Sequence, residues 1–190
     1  MTPLDRTLAG FRAELAQRAA KLPVEPISCK IGCTACCHYP LTISILEGLT
    51  LYSYLFKKRL WTDLIRNACV EHSKRTWDLH PLVWLLAKLP CPLLVSDRCL
   101  GYQARPLSCR ARVSKSLPHY CAPQSGGNIA EMFELHPEVK DLWEYEQRLL
   151  AKQKTQRFGL SVSKALLTAE KLVSKHETLR NYAYLFLGND

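Results

Sequence analysis

Along the first twenty or so residues Leu4, Leu8, Phe11, Leu15, Ala19 and Leu22 recur at the spacing of one helical face, with polar and charged positions between them. The pattern predicts an amphipathic helix over residues 3–22, which Pro23 and Pro26 terminate because proline has no backbone amide to continue the ladder. Farther on, Ser44-Ile45-Leu46-Glu47 reads as a capping box, in which the serine hydroxyl accepts from the Glu47 amide and the glutamate reaches back to the serine amide. A second helix is therefore expected from about Ile45 to Lys58. Trp61, Leu64, Ile65, Ala68 and Cys69 share one stripe and predict a third over Trp61–Lys74. The apolar run between His80-Pro81 and Pro90 reads as a short buried helix over 81–89.

Beyond Pro90 the period changes. Short apolar segments either side of Ser96-Asp97 predict a small hairpin that brings Cys91 and Cys99 near each other, and Pro106 implies extended geometry at Ala104 and Arg105 ahead of Cys109. Gln124-Ser125-Gly126-Gly127-Asn128 is turn-rich and marks the passage to a helical tail. There Pro137 opens a helix with Glu138 and Asp141 early and Arg148, Lys152 and Lys154 late, and with Val139, Leu142, Trp143, Leu149 and Leu150 as its apolar stripe. After Gly159 the positions Val162, Ala165, Leu166, Ala169, Leu172, Val173 and His176 predict a last helix, followed by an apolar stretch over Tyr182–Leu187. No internal repeat is present. The fold class expected is mainly α: helices packed around an irregular cysteine-rich metal-binding centre, with at most a small β-hairpin. We read the 190 residues as a single domain, with an N-terminal helix at 3–22, a cysteine region at about 29–121 and a helical tail at about 128–187.

Charge changes this picture little. Lys and Arg number 26 against 17 Asp and Glu, a formal +9, yet no run of five like charges occurs and no basic stripe alternates with aromatics, so nucleic acid is not an expected partner. An anionic substrate, or a protein partner or protein substrate of unknown identity, remains open. The apolar stretch Leu79–Ala87 is about half of what a bilayer requires, and no apolar leader follows Met1, so a cytoplasmic protein without membrane attachment is expected.

Cysteine changes the picture most. Eight of the nine cysteines form one pattern: Cys29, Cys33, Cys36 and Cys37 close together, then Cys91, Cys99, Cys109 and Cys121. In a reducing compartment such spacing favours soft-metal ligation over disulfides, and the adjacent Cys36-Cys37 pair suits neighbouring atoms of one site better than a strained bridge. Cys69, alone on an apolar helical stripe, reads as a small buried hydrophobe.

Cys-x-x-x-Cys-x-x-Cys-Cys, followed by Cys91-Pro92-Leu93-Leu94 and by Cys99-x-x-Tyr102-x-x-Arg105-Pro106-x-x-Cys109-Arg110, resembles the YkgJ-type cysteine-cluster proteins, described as zinc- or iron-chelating domains. The same cluster occurs in flagellin lysine N-methylases. The resemblance spans about Cys29 to Cys121, roughly half the chain, and implies that Cys29, Cys33, Cys36, Cys37, Cys91, Cys99, Cys109 and Cys121 are the metal ligands. Glu47 matches an acid that follows the first cluster in this family, although capping alone explains it. The long insert between Cys37 and Cys91 departs from the shortest members and carries two or three helices.

Eight thiolates exceed what one tetrahedral zinc or one four-iron cluster takes, so two centres, or a supporting role for some cysteines, stay open. Cys33 and Cys36 make one zinc knuckle, whereas Cys91, Cys99 and Cys109 are too widely spaced for a second. A [4Fe–4S] cluster accepts sulfurs from distant segments and is the favoured cofactor, with zinc the alternative. Arg105 and Arg110 are placed to support the cluster sulfurs or loop carboxylates, or else to hold an anionic substrate or S-adenosylmethionine, and His38 and His119 are possible nitrogen ligands. Three functions follow: a cluster-binding metalloprotein, which we favour; a protein-lysine methyltransferase like the flagellin N-methylases; and a structural zinc adaptor.

Overall fold

The computed structural model describes residues 3–22, 32–111, 137–151 and 160–174. Helix α1 (Pro3–Ala20) buries Leu8, Phe11 and Leu15, the stripe that its spacing predicts. Helix α2 (Ile45–Lys57) begins where the capping box places it: the Ser44 hydroxyl accepts from the Glu47 amide at 3.1 Å and Glu47 Oε2 accepts from the Ser44 amide at 3.0 Å. Ile45, Leu46, Leu49, Leu51 and Leu55 are almost completely enclosed, which makes α2 the centre of the core. Its principal partner is helix α7 (Val162–Ser174), whose Ala165, Leu166, Ala169 and Leu172 face inward, while Val173 at the end of the expected stripe is exposed.

Small residues set how closely α2 and α7 approach. A Cβ built on Gly48 would stand 2.8 Å from the Ala165 Cβ and 3.1 Å from its carbonyl oxygen, so the contact exists only because that side chain is a hydrogen. The two helices are also tied at their starts. Strand β1 (Thr42–Ile43) leads into α2 and pairs antiparallel with strand β4 (Leu160–Ser161), which leads into α7, with Thr42 opposite Ser161. The sequence pattern does not reveal this pair, because two residues cannot display a period of two and the partners lie far apart in the chain.

Helix α3 (Asp63–Thr76) packs on the other side of α7. It starts two residues later than Trp61 because Thr62 caps it, its hydroxyl accepting from the Ile65 amide. Glu170 of α7 accepts from the Trp61 indole at 3.0 Å and from the Arg66 Nε at 2.9 Å. Ile65 and Cys69 are buried there, whereas Leu64 is 74% exposed, a correction to the expected stripe: one position away from Ile65 is a 100° turn, which carries it past the edge of α7. Helix α4 (Pro81–Ala87), capped by His80 as expected, is corrected more fully. It lies at the surface with Leu82 and Leu86 62% and 73% exposed, because a short helix that is apolar all round can turn only one side inward.

Strands β2 (Leu94–Val95) and β3 (Arg98–Cys99) form the predicted hairpin. Ser96 and Asp97 both take positive φ, 46° and 56°, the geometry of a two-residue turn whose twist matches the strands. Arg105 is extended before Pro106, but Ala104 closes a 3-10 turn from Tyr102; the proline ring restricts only its immediate predecessor. Helix α5 (Leu107–Ala111) follows. Helix α6 (Pro137–Ala151) lies against α1 through Val139 and Leu142, and Arg18 of α1 pairs with Glu14, Glu138 and Asp141. The side chains of Leu149 and Leu150, together with Lys152, Lys154, His176 and Tyr182–Leu187, lie outside the described residues. No described helix is long and apolar enough to cross a membrane.

One acidic side chain of α6 is buried beside its apolar ones. Glu146 accepts from the Leu46 amide at 3.2 Å through Oε1, while its Oε2 is buried with no hydrogen-bond partner among the described residues. Burial pushes its carboxyl up to about 8, against hydrogen bonds from Ser44 and Leu46 that pull it down. The fold thus prefers the neutral acid. That preference contributes fully below the ordinary carboxylate range of about 4.3 and is lost as pH rises through about 8.

Two outcomes are expected. Gly48→Ala drives a methyl into Ala165 and destabilises the fold by about 1–3 kcal/mol, measured by denaturant unfolding. Glu146→Gln keeps the acceptor for Leu46 without an ionisable proton, so its melting temperature relative to the natural chain climbs as pH is raised from about 5 to about 9. A flat difference across that range would show that Glu146 is not held neutral.

Candidate metal centre

Six cysteines from three stretches of chain line one cavity: Cys33, Cys36, Cys37, Cys91, Cys99 and Cys109. Local backbone chemistry sets each of them. Gly32, with φ of 90°, turns the chain before Cys33, and a 3-10 turn at Ala35–His38 carries the adjacent pair, with the Cys37 amide donating to the Thr34 carbonyl. The Cys91 amide then donates to the Cys37 carbonyl at 2.7 Å, so main chain alone fastens the second segment to the first. Cys99 stands on β3 opposite Leu94, and the hairpin brings it to the same cavity as Cys91.

Cys109 is fixed from a distance. The Glu47 carboxylate spends Oε2 on the start of α2, and its Oε1 accepts from the Leu107 amide at 2.7 Å, at the start of α5. Glu47 therefore joins two helix N-termini, where a carboxylate complements the amides and the dipole. It is completely buried, and burial raises its pKa despite the opposing bonds from Ser44 and Leu107. Capping, the role its local spacing suggests, is only half of what it does.

The two arginines differ. Arg105 lines the cavity, with its guanidinium carbon 3.7 Å above the centre of the Tyr102 ring and its Nε donating to the Tyr102 carbonyl at 3.0 Å. Arg110 donates to the carbonyls of Arg105 at 2.9 Å and Gln103 at 3.1 Å, which braces the turn that holds Arg105. Cys69 is completely buried in the core beneath α7. His38 follows Cys37, but its Nδ1 is buried with no hydrogen-bond partner among the described residues. Cys29, Cys121 and His119 lie outside the described residues.

One further residue of the cavity escapes a reading of the sequence. His72 lines it from α3, three positions after Cys69 on the same inward stripe, and that spacing is the signal that points to it. Elsewhere the walls are apolar, supplied by Leu41, Leu51, Leu89 and Leu93 with the rings of Tyr39 and Trp84. At ≈ 70 Å³ the cavity exceeds what a single water needs, about 15 Å³.

Electrostatics decides what such a set of thiols can hold. The hydrogen bond with Cys36 pushes the Cys37 thiol far up, with burial and the negative charge of Cys36, Cys91 and Cys99 adding to it. Burial first, and neighbouring thiolates after it, raise Cys91 to about 12 and Cys109 well above the ordinary range. Cys99 is raised by burial too, partly offset by the Gly101 amide and Arg105. Several of these groups ionise together only against compensating positive charge, which zinc or the irons of a cluster supply. Among the described residues no group of three or more His, Cys, Asp or Glu side chains is already spaced to hold one ion. The donor set itself, sulfur-rich and shielded by apolar walls, suits a soft metal.

Comparison with curated proteins gives no match, and neither does comparison with solved structures. A family model matches residues 28–131, under the description "CxxCxxCC: Putative zinc- or iron-chelating domain". Those residues hold all eight cysteines of the pattern and make up more than half of the 190. The chain belongs to the CxxCxxCC family, whose name its first cysteine cluster spells out with one residue added at the first spacing.

Proposed function

We propose that this protein is a metal-chelating protein that carries an iron–sulfur cluster, of the [4Fe–4S] kind, held by cysteines from separate segments. The observation that carries the reading is the cavity lined by six thiols drawn from the first cluster, the hairpin and α5. Supplies from distant segments favour a cluster over a single zinc ion, because the four ligated irons stand apart and each needs one sulfur. When bound, the cluster supplies one-electron chemistry. The chain's own residues provide the rest. Apolar walls limit water around the sulfurs, Glu47 and the Cys91–Cys37 backbone bond hold the segments in register, and Arg105 sets a positive charge beside Cys99. Cys29 and Cys121 complete the set of eight candidate ligands.

Protein purified without oxygen is expected to be brown, with iron and sulfide in near-equal amounts. Colourless protein holding zinc overturns the cluster assignment and leaves chelation standing; protein that takes up neither overturns both. Cys36→Ser is expected to lose most of the bound metal, since it removes a thiol of the cavity. Cys69→Ser retains it, since that sulfur lies in the core. Elemental analysis of the two variants distinguishes a site built on the cavity from one built elsewhere.

A further inference from the structure

We propose that His72 is a nitrogen ligand of the metal centre, joining the thiols through Nε2. The proposal rests on the metal-binding reading above and adds to it a donor outside the cysteine pattern. Histidine is the one imidazole that lines the cavity among the described residues, and its two nitrogens are differently engaged. Nδ1 stands 3.0 Å from the Ser163 hydroxyl of α7, which is completely buried and lies 3.0 Å from the Ser161 hydroxyl. With Nδ1 committed to α7, Nε2 is the nitrogen available to a metal.

This is how a metal-binding imidazole is prepared. A ligating histidine gives its other ring nitrogen to a fixed acceptor, which sets both the tautomer and the orientation of the ring. In the tautomer that ligates, Nδ1–H donates to Ser163 Oγ, and Ser163 in turn donates to the hydroxyl of Ser161, which is partly exposed. That tautomer gives each of these protons an acceptor and leaves the lone pair on Nε2 of a ring that lines the cavity. Trp84 closes the ring's flank, edge-on at 6.3 Å between centroids. Burial lowers the His72 pKa, which favours the neutral imidazole that a metal requires. Because Ser163 is the first turn of α7 and Ser161 is β4, the ligand is buttressed by the strand pair and helix that organise the core.

Zinc serves as the probe. The full chain is loaded with Zn²⁺, its metal content measured, and its coordination read by X-ray absorption. One nitrogen scatterer at about 2.0–2.1 Å, with the outer-shell pattern of imidazole, is expected beside sulfurs at about 2.3 Å. His72→Ala is expected to keep zinc and lose the imidazole pattern. Ser163→Ala, a milder change, is expected to retain the pattern but weaken zinc binding by about 10–100-fold in competition with a chelator. An all-sulfur shell in the natural chain overturns the assignment whether or not the variants fold. So does an imidazole pattern that survives His72→Ala and disappears in His38→Ala. Failure to bind zinc or iron at all overturns the metal-binding reading itself, a result distinct from zinc bound without nitrogen.

Discussion

The buried carboxylate of Glu47 is the interaction on which the rest of the arrangement depends. A carboxyl group removed from water is costly unless its oxygens are met by donors, and here the donors are backbone amides at the starts of two different helices. One oxygen starts α2, the helix at the centre of the core, and the other starts α5, the helix that carries Cys109. The cost of burying the acid is thereby converted into a geometric tie between core and cavity. With the Cys91 amide bonded to the Cys37 carbonyl, this tie joins the cysteine segments through backbone groups.

The α2–α7 pair provides the frame. Its close approach at Gly48 and Ala165, and the strand pair at its base, fix where Ser161 and Ser163 stand. Ser163, itself in contact with Ser161, reaches across to His72 on α3, so packing in the core determines the orientation of a ring that lines the cavity. Arg110 does comparable work for Arg105, holding by two carbonyls the turn that carries it. The cavity is apolar for the same reason that the core is: its walls are the ends of the core's own leucines and aromatic rings. Low polarity keeps the thiols protonated when alone and strengthens their attraction to a metal when ionised.

What the sequence made legible was local. The capping box at Ser44 and Glu47, the hairpin about Ser96-Asp97, the starts of α4 and α6 and the cysteine spacing each involve residues within a few positions of one another, where backbone geometry leaves little choice. Helix faces were legible where a broad partner covers them, as on α1 and α7, and misleading where the partner ends, as at Leu64, Val173 and the whole of α4. Tertiary structure alone decided the second role of Glu47, the buried Glu146, the β1–β4 pair and the presence of His72 in the cavity. Each joins residues far apart in the chain; helical spacing sets His72 on the inward stripe of α3, but no period or motif records what these residues meet there. Sequence therefore named the sulfurs, because metal-binding thiols advertise themselves by type and spacing. Only the folded chain could say which other groups stand beside them, because that depends on which helices pack together and how closely.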